Sequence, residues 1–309
     1  MKKSILLTLA ASLACSAFAA PYLPQNGEYY ETEDGYPLKF GPDAKTAGNV
    51  AFHRESSAIK AWATGYKDYK VGTNVLESWQ TPEKALGTVK GDEYDVVVLG
   101  DGGSITLTFD NPIINGDGCD FAVFENAFSD KSGFLELAYV EVSTDGEHFV
   151  RFPNLYLGTS YIGPFDSHNP DLIYNLASKY GKNYGYGFDL AELEYAYNYM
   201  MSEGNEFSSE YTAEFLRNYN YVDINEINYV QIIDIIGDGK HGYTDSMGFD
   251  IFDPSDCIES AGFDLQGIGV INQLHNVPEP STYAAILGAI AIAFALKRKV
   301  AALTAKRGR

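Results

Sequence analysis

The segment LELAYVEVSTDGEHFVRFP, residues 135–153, constrains the fold of this chain more than any other stretch. It contains two short runs, 137–142 and 148–152, in which apolar side chains recur with the period of two that is typical of β-strands. Asp145 and Gly146 lie between these runs, and an Asp-Gly pair in this position favours a tight turn between antiparallel strands. The segment therefore predicts a β-hairpin.

Further stretches have the Val-, Ile- and Phe-rich composition of strands and are bounded by Gly, Pro, Asn or Asp. They are residues 95–100, 104–109, 120–126, 228–236 and 262–272. One region differs, because residues 189–220 combine good helix formers with helical spacing of their apolar side chains. The chain is therefore predicted to be mainly β, an antiparallel jelly-roll-like β-sandwich with a short helical insertion at about 189–220.

The N-terminus has the features of a secretory signal peptide. Two lysines precede an apolar run, and Ala17-Phe18-Ala19 offers the small-residue pattern of a cleavage site. We therefore expect residues 1–19 to be removed on export. Residues 20–49 are polar and unpatterned and are expected to form an extended segment, whereas residues 50–273 form the β-sandwich domain.

The distribution of charge restricts the partners of this domain. The two ends of the chain hold eight of the 22 Lys and Arg residues but only one of the 42 Asp and Glu residues, so residues 20–276 carry a net charge of −27. Such a body repels nucleic acids and anionic lipid surfaces and attracts cations. A hydrophobic content of 45% and an aromatic content of 14% exclude a disordered acidic chain.

Two cysteines remain after removal of the signal peptide, Cys119 and Cys257. In an oxidising compartment an even number of cysteines suggests a disulfide, and a bridge between these two would close a loop of well over a hundred residues. Two separate thiols are the alternative. Neither cysteine has a His nearby at ligand spacing, so a zinc site is not expected.

Calcium is the cofactor that the acidic loops favour most. Hard cations take about six to eight oxygen ligands from carboxylates, amides and backbone carbonyls, and an irregular loop can wrap such groups around an ion. The candidate ligands are Asp245, Asp250, Asp253, Glu125, Asn126 and Asp264. Their spacing does not match an EF-hand, and the alternative is that these side chains only cap turns.

A carbohydrate-active hydrolase is a second hypothesis, and it needs two carboxylates about 5–5.5 Å or about 6.5–9.5 Å apart. Glu125 is the first candidate, because its apolar neighbours in FAVFEN would raise the pKa of its carboxyl group. Asp101 or Asp120 would be its partner if their strands are neighbours. A hydrogen-bonded structural acid is the simpler interpretation of Glu125, and the five histidines lie in no recognisable triad motif. A non-catalytic protein is therefore favoured.

Tyrosine occurs 23 times, and two loops place it among Gly, Ser and Asn. These loops are NLYLGTSYIGPF, residues 154–165, and KYGKNYGYGF, residues 179–188. A tyrosine ring stacks on a sugar ring through its apolar face while its hydroxyl group stays polar. The loops therefore favour contact with an extracellular polysaccharide, whereas most aromatic residues in strands are expected in the core.

The C-terminal segment 277–309 begins with a short motif, continues with an uncharged apolar run and then carries a basic cluster. These parts are Val277, Pro278, Glu279 and Pro280, then residues 283–296, then Lys297, Arg298 and Lys299. Their order and spacing resemble the PEP-CTERM sorting signal of Gram-negative bacteria. The resemblance implies recognition by an exosortase-type enzyme, a transient inner-membrane anchor formed by the apolar helix 283–296, and transfer to the cell surface, outer membrane or extracellular matrix.

The body, over most of residues 61–272, also resembles a family of exported bacterial surface proteins. Motifs such as VVVLGDGGSITLTFDNPIINGDGCDFAVFENAF and GFDLQGIGVIN carry this resemblance, which implies a cell-surface protein without an established activity. The hairpin VEVSTDGEHFVRF is similar to that of discoidin-like and galactose-binding-like jelly rolls. The sequence thus favours a non-catalytic surface or matrix protein, structural or glycan-binding, with the carbohydrate-active hydrolase as the alternative.

Overall fold

The computed structural model describes residues 30–31, 37–38, 50–126, 134–168, 170–180, 183–254 and 257–274. The chain divides into two compact units, 1–274 and 275–309, and every described residue belongs to the first. The predicted signal peptide, most of the predicted extended segment 20–49, the predicted sorting motif and the apolar run 283–296 lie outside the described residues. Within those residues, no helix is long and apolar enough to cross a membrane.

The described part of the chain is mainly β, as predicted, and its strands pair in the antiparallel sense. The strands are β1 Tyr30–Glu31, β2 Pro37–Leu38, β3 Ala51–His53, β4 Ala61–Trp62, β5 Gly65–Lys70, β6 Val97–Val98, β7 Ser104–Ile113, β8 Phe121–Glu125, β9 Ala138–Ser143, β10 Val150–Arg151, β11 Leu155–Tyr156, β12 Ile173–Tyr174, β13 Tyr184–Phe188, β14 Ile227–Asp234 and β15 Asp264–Val270. The helices are α1 Ala191–Met200 and α2 Ser209–Tyr219, with short 3-10 segments at Glu77–Trp79, Pro82–Ala85 and Pro170–Leu172.

Two sheets form the body of the domain. The first has five strands in the order β10-β9-β14-β7-β5, and the second has six, with β3-β13-β8-β15-β4 in order and β6 also paired with β15. Both sheets bury side chains in one large apolar cluster, for example Leu107 and Val140 from the first and Val123 and Ile268 from the second. Neither sheet closes on itself among the described strands, so the architecture is β-sandwich-like.

The predicted hairpin is present, with β9 and β10 as its strands. The Asp145 carboxylate closes the turn, because its Oδ1 accepts hydrogen bonds from the backbone amides of Glu147 and His148, each at 2.8 Å. Gly146 has a φ of 77°, in the left-handed region where residues with a side chain are strained. The two residues that predicted the turn therefore also form it.

The two helices fall inside the predicted insertion, 189–220. Ser208 caps α2, since its Oγ accepts a hydrogen bond from the Tyr211 amide at 3.2 Å. Tyr211 and Phe215 on the inner face of α2 are buried, and the Tyr211 hydroxyl donates to the Arg151 carbonyl at 2.9 Å. The insertion therefore packs on β10, the edge strand of the five-stranded sheet.

Strand β8 is the central element for the sites described below. It lies between β13 and β15 within the six-stranded sheet, and all of its residues are buried. Asp120 directly precedes it, whereas Glu125 is its last residue and Asn126 follows. All three of these polar side chains are buried. Strand β8 thus has buried polar side chains at both ends, Asp120 before it and Glu125 and Asn126 at its end.

The predicted disulfide between Cys119 and Cys257 does not form in the structure, which holds both residues as buried thiols. Cys119 packs in an apolar cluster with Phe52 and Phe124. The Cys257 thiol donates instead to the Pro164 carbonyl oxygen at 3.0 Å. Because the two sulfur atoms lie in different surroundings, the disulfide prediction is corrected in favour of its alternative, two separate thiols.

Candidate functional site

The end of β8 and the start of β15 bring three polar side chains together inside the core. Because the two strands are antiparallel neighbours, Glu125 and Asn126 lie beside Asp264. The Asn126 Nδ2 donates to Asp264 Oδ2 at 2.8 Å, and the Asn126 backbone amide donates to the Asp264 carbonyl at 3.3 Å. Ser178 Oγ donates to Glu125 Oε2 at 2.7 Å. The strand pairing thus places two carboxyl groups and an amide in one buried region.

Asp234, the last residue of β14, joins this group from the five-stranded sheet. Its Oδ1 accepts from the backbone amide of Phe263 at 2.7 Å, directly before Asp264, and its Oδ2 accepts from the Gly102 amide at 2.8 Å. Desolvation by burial raises the pKa of Asp234 to about 7, although both amide bonds act to lower it. Asp234 therefore links the ends of strands that belong to different sheets.

Asp253 and Glu136 complete the group from loop segments. Asp253 Oδ1 accepts from the backbone amide of Leu137 at 2.9 Å and lies 3.0 Å from His168 Nε2. Burial lowers the pKa of His168 to about 4, so its imidazole is neutral at pH 7 and adds no positive charge. Gly237 is needed beside Asp253, because a Cβ atom there would lie 1.8 Å from the Asp253 backbone nitrogen.

We call these five acids and one amide the carboxylate cluster. Its members are Glu125, Asn126, Glu136, Asp234, Asp253 and Asp264, and all six are buried. Burial raises the pKa of Glu136 well above its ordinary value, and the charges of Asp264 and Glu125 raise it further. Burial and neighbouring carboxylates likewise raise the pKa of Asp253 and Asp264. The strongest charges that act on these three acids are those of other acids.

Three oxygen atoms of the carboxylate cluster have no hydrogen-bond donor within the described part of the chain. They are Asn126 Oδ1, Asp253 Oδ2 and Asp264 Oδ1. The second oxygen of each aspartate does accept a hydrogen bond, so each carboxyl group is fixed through one oxygen only. A buried acceptor without a partner costs about 1–3 kcal/mol. Chemically, the cluster is therefore suited to take up protons or a cation.

The structure brings four of the six predicted calcium ligands into the carboxylate cluster and leaves Asp245 and Asp250 outside it. Asp245 caps its own loop, because its Oδ1 accepts from the backbone amides of Met247 and Phe249. Its Oδ2 accepts from the Tyr156 amide at 3.0 Å, and Asp250 is exposed to solvent. Among the described His, Cys, Asp and Glu side chains, no three already converge as a metal-ligand set.

Sequence reasoning missed two members of the cluster, Glu136 and Asp234. Each lies within an otherwise apolar run, LELAY for the first and QIIDII for the second. Charged side chains are almost never fully buried unless they are paired, so an acid inside such a run indicates a buried partner. This signal was present in the sequence, but it does not reveal which partner the acid meets.

The paired-carboxylate hypothesis is wrong for Asp120 and Glu125. They lie at opposite ends of β8, five positions apart in the chain. An extended strand covers about 17 Å over that distance, well beyond the ~9.5 Å that a glycosidase pair allows. Asp101, the other predicted partner, is half-buried in a β-bridge with Thr73, and Asn74 Nδ2 donates to its Oδ2 at 2.6 Å.

Asp120 is instead a structural acid. Its Oδ1 accepts from the Gly116 amide and from Asn272 Nδ2, each at 2.8 Å. Its Oδ2 accepts from the Leu190 amide, also at 2.8 Å. Desolvation by burial raises the pKa of Asp120 to about 8 in spite of these bonds. Both oxygens are therefore engaged in joining β8 to the neighbouring loops.

A second candidate site is an open pocket of about 290 Å³, which we call the aromatic pocket. Residues from α2, β9, β10 and the loop 241–246 line it, among them Tyr139, Arg151, Glu214 and Tyr243. The rings of Tyr139 and Tyr243 are nearly parallel, with centroids 6.1 Å apart. The Arg151 guanidinium lies 4.0 Å from the centre of the Tyr139 ring, a cation–π contact. The pocket thus combines aromatic faces with charged groups.

Hydrogen bonds hold the walls of the aromatic pocket in place. The Arg151 Nε and Nη2 atoms both donate to Glu141 Oε1 at 2.8 Å. The Tyr139 hydroxyl donates to the Thr244 carbonyl oxygen, also at 2.8 Å. Because these groups are fixed before any ligand arrives, little side-chain entropy remains to be lost on binding.

The two aromatic loops predicted to contact glycans contribute little to this pocket. Tyr156, Tyr180 and Tyr186 are buried in the core. Tyr161 is 52% exposed but lines a different open cavity, of about 430 Å³. The aromatic pocket was not predicted, because its side chains come from several separate segments that meet only in the folded chain.

Comparison with known proteins adds no assignment to either site. No protein-family model matches the chain, and a search of curated proteins gives no match. The function of the chain must therefore be inferred from its own residues and their geometry.

Proposed function

We propose that this protein is an exported, non-catalytic surface or extracellular-matrix protein that binds a polysaccharide through the aromatic pocket. The signal peptide 1–19 and the PEP-CTERM-like tail 277–309 support export through an exosortase-type system of a Gram-negative bacterium. In this proposal the helix 283–296 is a transient inner-membrane anchor, and the sandwich is a jelly roll of the discoidin or galactose-binding kind. The β-sandwich-like architecture is compatible with that finer description.

The aromatic pocket is the observation that carries the glycan part of the proposal. Its partly exposed ring, Tyr243, is surrounded by the polar side chains of Arg151, Glu214 and His241. An aromatic face packs against the C–H surface of a sugar ring, while polar groups bond to its hydroxyls. A volume of about 290 Å³ lies at the lower end of small-molecule sites and suits one or two sugar units.

The positions of the acids support a role without catalysis. Asp120 and Glu125 are too far apart to act on one glycosidic bond, and both oxygens of Asp120 already accept hydrogen bonds. Glu125 is buried and accepts a hydrogen bond from Ser178. A hydrolase that uses Asp120 and Glu125 as its pair is therefore disfavoured.

Glycan binding is tested with the purified full-length protein on a glycan array, followed by calorimetric titration of the best ligand. Tyr243→Ala removes the accessible ring and is expected to weaken binding by roughly tenfold, because aromatic contacts contribute about 1 kcal/mol. Tyr161→Ala is the matched control, since this exposed tyrosine lies outside the pocket. Equal affinities for the wild type and Tyr243→Ala, or no glycan ligand at all, would contradict the proposal.

A further inference from the structure

We infer that the carboxylate cluster binds one divalent, oxygen-seeking cation, for which calcium is the best match. Asp253 and Asp264 are its central ligands, and Glu136 is the acid at its entrance. The inference goes beyond the proposed function, because a cation in the core is independent of glycan binding at the aromatic pocket. It also differs from the sequence-based ligand set, since Asp245 and Asp250 drop out and Glu136 enters.

The chemistry of the cluster matches a hard cation. Its carboxyl groups and the Asn126 amide offer oxygen atoms, and Ca²⁺ takes about six to eight oxygen ligands at about 2.3–2.6 Å. The donors come from β8, β15, β14 and the loops around Glu136 and Asp253. An ion held by such donors ties the six-stranded sheet to the segment that enters β9 of the five-stranded sheet.

The unpartnered oxygens are an independent observation that points to a ligand. Asn126, Asp253 and Asp264 are at most 3% exposed, and one acceptor atom of each has no donor in the described part of the chain. Buried polar atoms in folded proteins are nearly always satisfied. One ion satisfies several such acceptors together, whereas each would otherwise need its own donor.

The neighbouring hydrogen bonds orient these acids for coordination. Asn126 Nδ2 engages one oxygen of Asp264, and the Leu137 amide engages one oxygen of Asp253, so the second oxygen of each stays available. His168 Nε2 lies 3.0 Å from Asp253 Oδ1, the oxygen that the Leu137 amide also engages, so it leaves Oδ2 available. Because no three described acids already form a metal-ligand set, binding requires the ion to draw Glu136 toward the available oxygens of Asp253 and Asp264.

Protonation is the alternative way to neutralise these buried carboxylates. Two protons would neutralise two of these buried carboxylates, as one divalent cation would. Each added proton, however, creates a buried donor that needs an acceptor of its own. A divalent cation neutralises two charges and adds no donor. It therefore satisfies the buried acceptors without creating a new group that needs a partner.

An entry path for the ion lies beside Glu136. This residue lines an open cavity of about 380 Å³ together with Phe134, Phe165, Cys257 and Ile258. Phe165 is 82% exposed and Ile258 is 74% exposed, so the cavity reaches solvent. The strongly acidic body raises the local concentration of cations at this entrance.

The test is thermal unfolding of the chelator-treated full-length protein during titration with CaCl₂ alone, without any glycan. We expect calcium to raise the Tm by roughly 5–10 °C when its concentration is about 100 times its Kd. Asp264→Asn and Glu136→Gln are expected to weaken calcium binding at least ~10-fold, because each removes a charged ligand. MgCl₂ should act more weakly, since Mg²⁺ requires a tighter octahedral site.

Asp245→Asn is the matched control, because this buried acid already has both oxygens engaged by backbone amides. It is expected to lower the Tm with and without calcium and to keep the full calcium response. A wild-type Tm that does not depend on calcium would overturn the inference, as would an equal response of the wild type and Glu136→Gln. Because no glycan is present, failure of the glycan proposal cannot affect this readout.

Discussion

The two ends of strand β8 both carry buried acids, and the hydrogen bonds around those acids differ. At the Asp120 end, both carboxylate oxygens accept from donors on Gly116, Leu190 and Asn272. At the Glu125 end, the neighbouring Asp264 keeps one oxygen that has no donor in the described part of the chain. The acids are buried at both ends of β8. Both oxygens of Asp120 accept hydrogen bonds, whereas only one oxygen of Asp264 does.

This difference distinguishes an acid that joins backbone segments from the acids of the proposed cation site. Burial raises the pKa of Asp120 as well as that of Asp264, so a perturbed pKa does not distinguish them. The count of donors does, because an acid that joins backbone segments uses both of its oxygens. Asp264, in the proposed cation site, is instead held through one oxygen and keeps the other available.

The largest expected effect comes from removing the acid at the satisfied end. Asp120→Ala leaves three buried donors without an acceptor and is expected to lower the free energy of unfolding by about 4 kcal/mol. Urea unfolding at pH 7 measures this loss. Asp110→Ala is the control at an exposed acid, with an expected loss below about 0.5 kcal/mol.

The same experiment without calcium compares Asp120→Ala with Asp264→Ala. The second substitution is expected to cost less than half as much, because Asp264 accepts a side-chain hydrogen bond through Oδ2 only and its Oδ1 has no donor in the described part of the chain. In addition, Asn126 Nδ2, which loses Asp264 as an acceptor in this variant, also donates to the Glu93 carbonyl at 3.2 Å. Equal losses for the two variants would show that the two ends of β8 do not differ as described.

A smaller effect is expected in the dependence of stability on pH. Burial raises the folded-state pKa of Glu192, close to the Asp120 end, to about 8. The titratable groups around it are Asp189, Asp120, Cys119, Tyr174, Tyr186 and Tyr211. Because the folded state binds this proton more tightly than the unfolded state, its stabilising effect is complete below pH ~4 and is lost as the pH rises through about 8.

Glu192→Gln removes this titration and is expected to flatten the decline in stability. The difference in unfolding free energy between wild type and variant should change by roughly 3–4 kcal/mol from pH 5 to pH 8. Urea unfolding at several pH values, with calcium held constant, provides the measurement. Parallel curves for the two proteins would show that Glu192 titrates normally in the folded state.

The sequence predicted the features that depend on neighbours in the chain. The hairpin around Asp145 and Gly146 and the insertion at 189–220 were found because turn chemistry and helical spacing are local. Strand ends also placed Glu125 and Asp264 among the candidate ligands. Their meeting depends on the register between β8 and β15, which the composition of either strand does not determine.

The features that the sequence did not predict depend on contacts between distant segments. Asp234 reaches the cluster through the Phe263 amide, and Tyr139 meets Tyr243 across 104 positions of the chain. The disulfide prediction failed for the same reason. A count of cysteines shows that a pair exists, but only the fold determines whether their Cβ atoms approach closely enough to form a bond.

The smallest expected effects concern the two thiols. Cys119 directly precedes Asp120, and Cys257 lines the same cavity as Glu136. Reductant should leave the Tm unchanged within about 1 °C, because no disulfide joins Cys119 to Cys257.

Burial raises the pKa of Cys119 well above its ordinary value, whereas Cys257 lines the open cavity next to Glu136. A thiol reagent should therefore modify Cys257 at least ~10-fold faster than Cys119, as read by mass spectrometry. If reductant lowers the Tm and the oxidised chain yields no reactive thiol when unfolded, a disulfide joins Cys119 to Cys257 and the two thiols are not separate.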